Sequence, residues 1–381
     1  MLFVKTDDLK MGMRLAKPIY NKNGVMLYER NSKLTNQGIV SINNFGLIGV
    51  YILEAAEPLP PMSIDDIEFE RFQAMSVFSI KEILDAVCKQ KEPKELYQFS
   101  NVILKNYGSL HRRINFIQSL RSTEDYVYKH SLNTAILSAL ISGRMKLEFK
   151  QQIAVVVSSI LHDVGTLLIP AHLRRKRQDE LTDEEVKKIN TYYLAAHQMY
   201  SRNVDLDPDI RRTVADSIVA LHSGIVSEEE SGHREPGLLV DILKVAYAYD
   251  TMTAMKLDEE PSSEIAAIRH LLNHPKDYNQ KVVSALLESI NILNPGVCVE
   301  LTNGDRGLVV TSNEHSLLEP FILSFRDNQL YNLSDASVSK DIQIKDVMKT
   351  MDNRHVMDND LLANYSGEAV RMGEKRDKKH F

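Results

Sequence analysis

Adjacent His162 and Asp163 lie in "LHDVGTLLIP", from Leu161 to Pro170, directly after the apolar run "QQIAVVVSSI". That run reads as a buried helix with Gly165 as its stop, which puts both side chains at the helix's C-terminal end. His130 stands 32 residues earlier, in "EDYVYKHSLNTAILSALISGRM". A helical bundle can bring such separated positions together, and imidazole with carboxylate suits zinc, iron or manganese. A bound ion lowers the pKa of its water to near neutrality, so the chemistry implied is hydrolytic. Most of the twelve histidines need no such role, because a lone imidazole is more often a surface or hydrogen-bonded core group.

The elements that must position these residues follow from the rest of the chain. Of 381 residues, 43% are hydrophobic and 26% charged, enough for two or three domains. Cys88 and Cys298 lie far apart, so neither a disulfide framework nor a thiolate zinc site is expected. No uninterrupted apolar run approaches the roughly 18 to 20 residues of a bilayer crossing, and the start "MLFVKTDDLKMGMRL" lacks a signal-peptide core. The expectation is a cytoplasmic protein with no transmembrane segment. A net charge of −6 gives no general field for DNA or RNA, and "LRRKR" at 173–177 reads as a solvated loop.

Short runs separated by "NKNG" and "NNFG" make residues 1–54 a small β module. The Pro-rich stretch 55–62 reads as an extended connector, 63–121 as a helical linker region and 122–293 as the main helical domain. After "NPG", residues 294–340 alternate as hairpin strands with "NGDRG" as turn, and 341–381 reads as a charged tail with a disordered end. The fold class expected is mainly α, with a β module at each side.

"EDYVYKHSLNTAIL", "LHDVGTLLIP", "LTDEEVKKIN" and "KVAYAYDTMTA" occur in the order and at about the spacing of the HD-GYP domain, which this chain resembles over roughly residues 122–272. The resemblance implies an HD-type helical bundle that holds two or three metal ions, commonly iron or manganese. It also implies hydrolysis of the bacterial messenger cyclic di-GMP to pGpG or GMP, in bacterial signalling. The flanking modules are similar to those of many bacterial members.

Carried over position by position, His130, His162 and Asp163 match the family's first ligands, with Asp163 the catalytic position if the domain is active. His222 in "ALHSG" is a fourth candidate ligand, because the second His of the family's pair is Ser223 here. Two further ligand slots fall on Tyr192 and Tyr247, and the family's "HDxGK" lysine is Thr166. His197 lies five residues past 192, about 140° around a helix, so it does not replace that ligand. Asp250 matches the second Asp of the last segment, which is not the metal-ligand position. The "GYP" loop is represented by "SGHREPG", where His233 and Arg234 are candidate substrate contacts.

Tyrosine is neutral near pH 7, so these slots weaken a multi-metal centre, which needs anionic and imidazole donors to hold ions close together. The expectation is a divergent domain, weakly active or inactive, serving as a module that binds cyclic di-GMP or another nucleotide, or protein partners in signalling. The alternative is an active metal-dependent cyclic di-GMP phosphodiesterase.

Overall fold

Apolar residues at helical spacing organise the middle of the chain around one core, and β modules pack at two sides of it. The computed structural model describes residues 2–21, 24–53, 63–202, 206–222, 237–256, 260–313 and 317–347. The connector 55–62 and the segment from 348 to the end lie outside the described residues.

Strands β1 (Leu2–Lys5), β2 (Arg14–Leu15), β3 (Ile19–Tyr20), β4 (Met26–Tyr28) and β5 (Gly49–Leu53) form two small antiparallel sheets, ordered β1-β5-β2 and β3-β4. The β module expected here also contains a helix, α1 (Asn36–Asn44). Thr35 starts it by accepting the Gly38 amide at 3.0 Å, and Ile42 enters a core with Val4, Leu15 and Val50.

The helical part comprises α2 (Ile64–Cys88), α3 (Leu96–Ile103), α4 (Tyr126–Arg144), α5 (Phe149–Leu161), α6 (Val164–Leu168), α7 (Ala171–Arg174), α8 (Asp183–Arg202), α9 (Pro208–Leu221), α10 (Leu238–Thr253), α11 (Glu264–Asn273) and α12 (Gln280–Leu287). Helix α2, in the expected linker region, shares the main core with α4, α5 and α10. Helix α4 is buried all round from His130 to Ser142, so it lacks an amphipathic pattern and marks the centre of the bundle. Its end approaches a preceding turn so closely that a Cβ on Gly143 would fall 1.8 Å from the Gly108 carbonyl oxygen. Only glycine fits there.

Phe149–Leu168 is long and apolar enough to cross a membrane, although no uninterrupted apolar run predicted it. Of its most apolar window, 72% is buried inside the fold, as in a core helix. Gly165 does not stop that helix. Helix α5 ends at Leu161, the chain turns at Asp163, and Gly165 sits within α6.

The second β module is a five-stranded antiparallel sheet ordered β10-β6-β7-β8-β9, built from β6 (Cys298–Leu301), β7 (Arg306–Thr311), β8 (Phe321–Ser324), β9 (Leu330–Asn332) and β10 (Ile344–Val347). Short helix α13 (Ala336–Ser339) precedes β10. The boundary expected at residue 340 falls short of β10, where Ile344 enters the sheet core and Arg269 of α11 donates to the Lys345 carbonyl at 2.6 Å.

Candidate metal centre

The break between α5 and α6 turns two sequence neighbours toward one place. His162 is the C-cap of α5, its amide donating to the Ser158 carbonyl at 2.9 Å, and Asp163 leaves helical geometry before α6 begins. His130 projects from the first half of α4, which packs along α5. One ligand atom each from His130, His162 and Asp163 lies within 4.8 Å of the others, and all three residues are buried.

The outer nitrogens are committed. His162 Nδ1 donates to the Ser159 carbonyl at 2.8 Å. His130 Nδ1 lies 2.6 Å from Asp250 Oδ2. Burial alone would raise the Asp250 carboxyl, but the Arg121 charge and the His130 hydrogen bond hold it well below the usual carboxylate range. Asp250 is therefore an ionised acceptor, and His130 Nδ1–H donates to it. Both Nε2 atoms are left facing one another at 3.3 Å. In the neutral rings these are two lone pairs, so the space between them suits a shared proton or a metal ion. A histidine with one nitrogen on a carboxylate and the other toward an ion is the usual way metal-binding imidazoles are oriented. The donor set fits one divalent ion.

Asp250 is held from several sides. Arg121, fully buried, donates NH2 to its two oxygens at 2.7 and 2.6 Å, and its guanidinium lies 4.9 Å from the Tyr126 ring centroid. Gln118 Nε2 and Asn133 Nδ2 donate to Asp250 Oδ1 at 3.0 and 2.8 Å. Gln73 of α2 donates to Asn133 Oδ1 at 2.9 Å. Sequence reasoning singled out none of these four; the visible signal was a polar residue within an apolar helical stretch for Gln73 and Asn133, and none for Gln118 and Arg121. Asp250 itself is occupied by this network and is absent from the ligand group.

Burial pushes the His162 imidazole well below its ordinary value, aided by the neighbouring His130. Burial raises the Asp163 carboxyl, against the pull of His130 and a short hydrogen bond from Thr166 Oγ1. Thr166, at the expected lysine slot, also lies 3.0 Å from Tyr193 Oη. Helix α8 thus reaches the site with Tyr193, one residue past the slot counted at Tyr192, which is half-buried. A Cβ on Gly165 would sit 2.5 Å from Tyr193 Cδ1, so this glycine permits the approach of α6 to α8.

Tyr247 lies edge-on to His130 and His162, with ring centroids at 4.8 and 5.5 Å. Burial, then Asp163, raises its hydroxyl far above the ordinary phenol range, so it stays protonated. His222 is not brought into the ligand group. Its ring stacks on Tyr193 at 3.6 Å, and burial lowers it to about 4. Ser223, His233 and Arg234 lie outside the described residues, and His197 is half-buried on α8.

An HD-domain family model matches residues 115–282, which contain the whole ligand group. The chain is 23% identical over 215 residues to the cyclic di-GMP phosphodiesterase PdeB of Borreliella burgdorferi, covering 55% of each protein. It thus spans about half the length of that curated relative. Among solved structures it is similar to Bd1817, an HDG"Y"P protein from Bdellovibrio bacteriovorus, at 12% identity and a TM-score of 0.43, covering 75% of this chain and 97% of the other.

Proposed function

We propose that this chain, whose residues 115–282 are an HD domain of the HD-GYP family, holds a single divalent ion and serves as a receptor for cyclic di-GMP or a related nucleotide, with turnover weak or absent. The observation that carries this is the pair of opposed Nε2 atoms at 3.3 Å with Asp163 beside them. His130, His162 and Asp163 are the ligands, and their imidazole and carboxylate donors suit iron or manganese. When bound, the ion polarises a phosphoryl oxygen and acidifies water. The protein's own residues orient the ligands: Asp250 and the Ser159 carbonyl fix the two rings, and Thr166 holds Asp163. Arg174, half-buried on α7, exerts its positive charge at Asp163 and supplies attraction for a phosphate group.

Efficient phosphodiester hydrolysis on paired ions needs donors for a second ion, which would stabilise the leaving oxygen. Among the described residues, the side chains around His162 and Asp163 include Thr166, Tyr193 and Tyr247, all neutral hydroxyls, and Asp250 is taken up by Arg121 and His130. The nucleotide-bound state of such a receptor is what protein partners in signalling would read.

The test is metal analysis of purified protein, calorimetric titration with cyclic di-GMP, and an assay for pGpG or GMP. Expected are about one ion per chain, its loss in His162→Ala, and nucleotide binding with product near background. The second reading, an active phosphodiesterase, is favoured by the complete His130, His162 and Asp163 group and by similarity to PdeB. Two ions per chain with turnover abolished by His162→Ala would establish that reading and overturn the receptor.

A further inference from the structure

The network that fixes Asp250 does not end in the helical core. Gln118 and Arg121, two of its donors, lie on the extended segment 118–123, which precedes α4. That segment is tied along its backbone to the N-terminal β module. The Ile48 amide donates to the Arg121 carbonyl at 2.8 Å, and the Thr123 amide donates to Gly46 O at 3.3 Å. Leu47 and Ser122 form an antiparallel bridge between those bonds. Lys17 Nζ reaches from the module to the Gln118 carbonyl at 2.6 Å, its ammonium 4.6 Å from the Tyr51 ring centroid. From the other side, Leu120 and Met255 join the module's own apolar core.

We infer that the N-terminal β module is a positioning element of the metal centre: it holds segment 118–123 in register, so that Gln118 and Arg121 fix Asp250 and Asp250 aims His130 Nε2 at the ion. This rests on the single-ion reading above, and Lys17 is the residue that isolates it. Lys17 touches no ligand, yet its bond to the Gln118 carbonyl sets the backbone from which the Asp250 clamp projects. His162 provides an internal comparison, because its ring is held by the Ser159 carbonyl of its own helix and is independent of the module.

The experiment compares the full chain with Lys17→Met and Lys17→Arg, reading side-chain nitrogen shifts of His130 and His162 by NMR in metal-free protein, then Mn2+ affinity. In Lys17→Met the His130 nitrogens should move toward averaged tautomers while His162 Nδ1, bonded to the Ser159 carbonyl, keeps its shift. Mn2+ affinity should fall about tenfold, the lower end of what lost ligand-orienting contacts cost. Lys17→Arg should restore both. Unchanged His130 shifts and affinity would overturn the inference, as would equal movement of His162 Nδ1, which would mean general loosening. If Lys17→Met does not fold, Leu47→Ala, at the bridge to Ser122, loosens the same segment from the module side, with the same outcomes expected. Wild-type protein that takes up no Mn2+ would sink the single-ion reading alone, since the His130 signal, read without metal, still decides the positioning.

Discussion

His130 Nε2 and His162 Nε2 face each other at 3.3 Å while both Nδ1 atoms are engaged elsewhere, one by Asp250 and one by the Ser159 carbonyl. Two imidazoles fixed in this way compete for one occupant of the space between them. Protons compete with an ion for this space, and burial holds His162 well below the ordinary imidazole value, so acid weakens metal binding only well below about pH 6.5. Titrations with Mn2+ at about pH 4.5 and pH 8 should give weaker binding at the lower pH, and equal affinities would argue against this site.

Tyr247 lies edge-on to both rings, and burial raises its hydroxyl far above the ordinary phenol range, which disfavours the phenolate that ligation would need. Tyr247→Phe should therefore retain its metal within about twofold in affinity, whereas His162→Ala or Asp163→Asn should lose it, a difference of the size that separates neighbours from ligands. Metal content of the three purified variants checks this.

Asp250→Asn leaves the fully buried Arg121 without its counter-charge. Breaking one side of such a pair costs about 3 to 5 kcal/mol, readable as a lowered denaturant midpoint. The pH dependence has a definite sign. Asp250 is depressed in the folded state, so its contribution is complete above the unfolded value of about 3.9 and is lost as pH falls through the lower folded value. Wild type should thus lose more stability than Asp250→Asn below about pH 4.

The metal-free protein should begin to weaken at milder acidity for another reason. Burial holds His162 far below, and His222 at about 4, against an unfolded value near 6.5. The unfolded chain takes up protons that the folded rings refuse, so stability is full above about pH 6.5 and declines as pH falls, for His222 down to about pH 4. Melting temperatures between pH 8 and pH 4.5 should show the decline. His222→Phe, which keeps a ring against Tyr193, should flatten part of it.

Gly165→Ala drives a Cβ to 2.5 Å from Tyr193 Cδ1 and 3.2 Å from the Tyr193 Cα. Because backbone as well as side chain must yield, α6 has to move from α8, at a cost of about 1 to 3 kcal/mol. The hydrogen bond between Thr166 and Tyr193 should break with it, and metal binding should weaken alongside the lowered melting temperature.

The ligand group was legible because His130, His162 and Asp163 sit in recognisable blocks at known spacing. The residues that orient it were not. Gln118 and Arg121 in "NFIQSLRSTED" are isolated polar side chains whose partner Asp250 lies 132 and 129 residues away, beyond any periodic pattern. Counting along α8 placed a slot at Tyr192, one position from the ring that reaches the site, because element spacing carries no information on the rotation of a helix within a bundle. The strand at Ile344–Val347 had an alternating pattern in "IQIKDV" but was merged with the charged residues after it.

The 129-residue separation of Arg121 and Asp250 also sets an order of assembly during synthesis. At about 5 to 20 residues per second, segment 118–123 waits roughly 6 to 26 s after translation before the residue that neutralises Arg121 is made. Until α10 arrives, burying that guanidinium is unfavourable, so the segment on which the N-terminal module docks cannot settle. The β module, although made before α10, is thereby locked in place only once α10 arrives, and its locking coincides with completion of the metal centre.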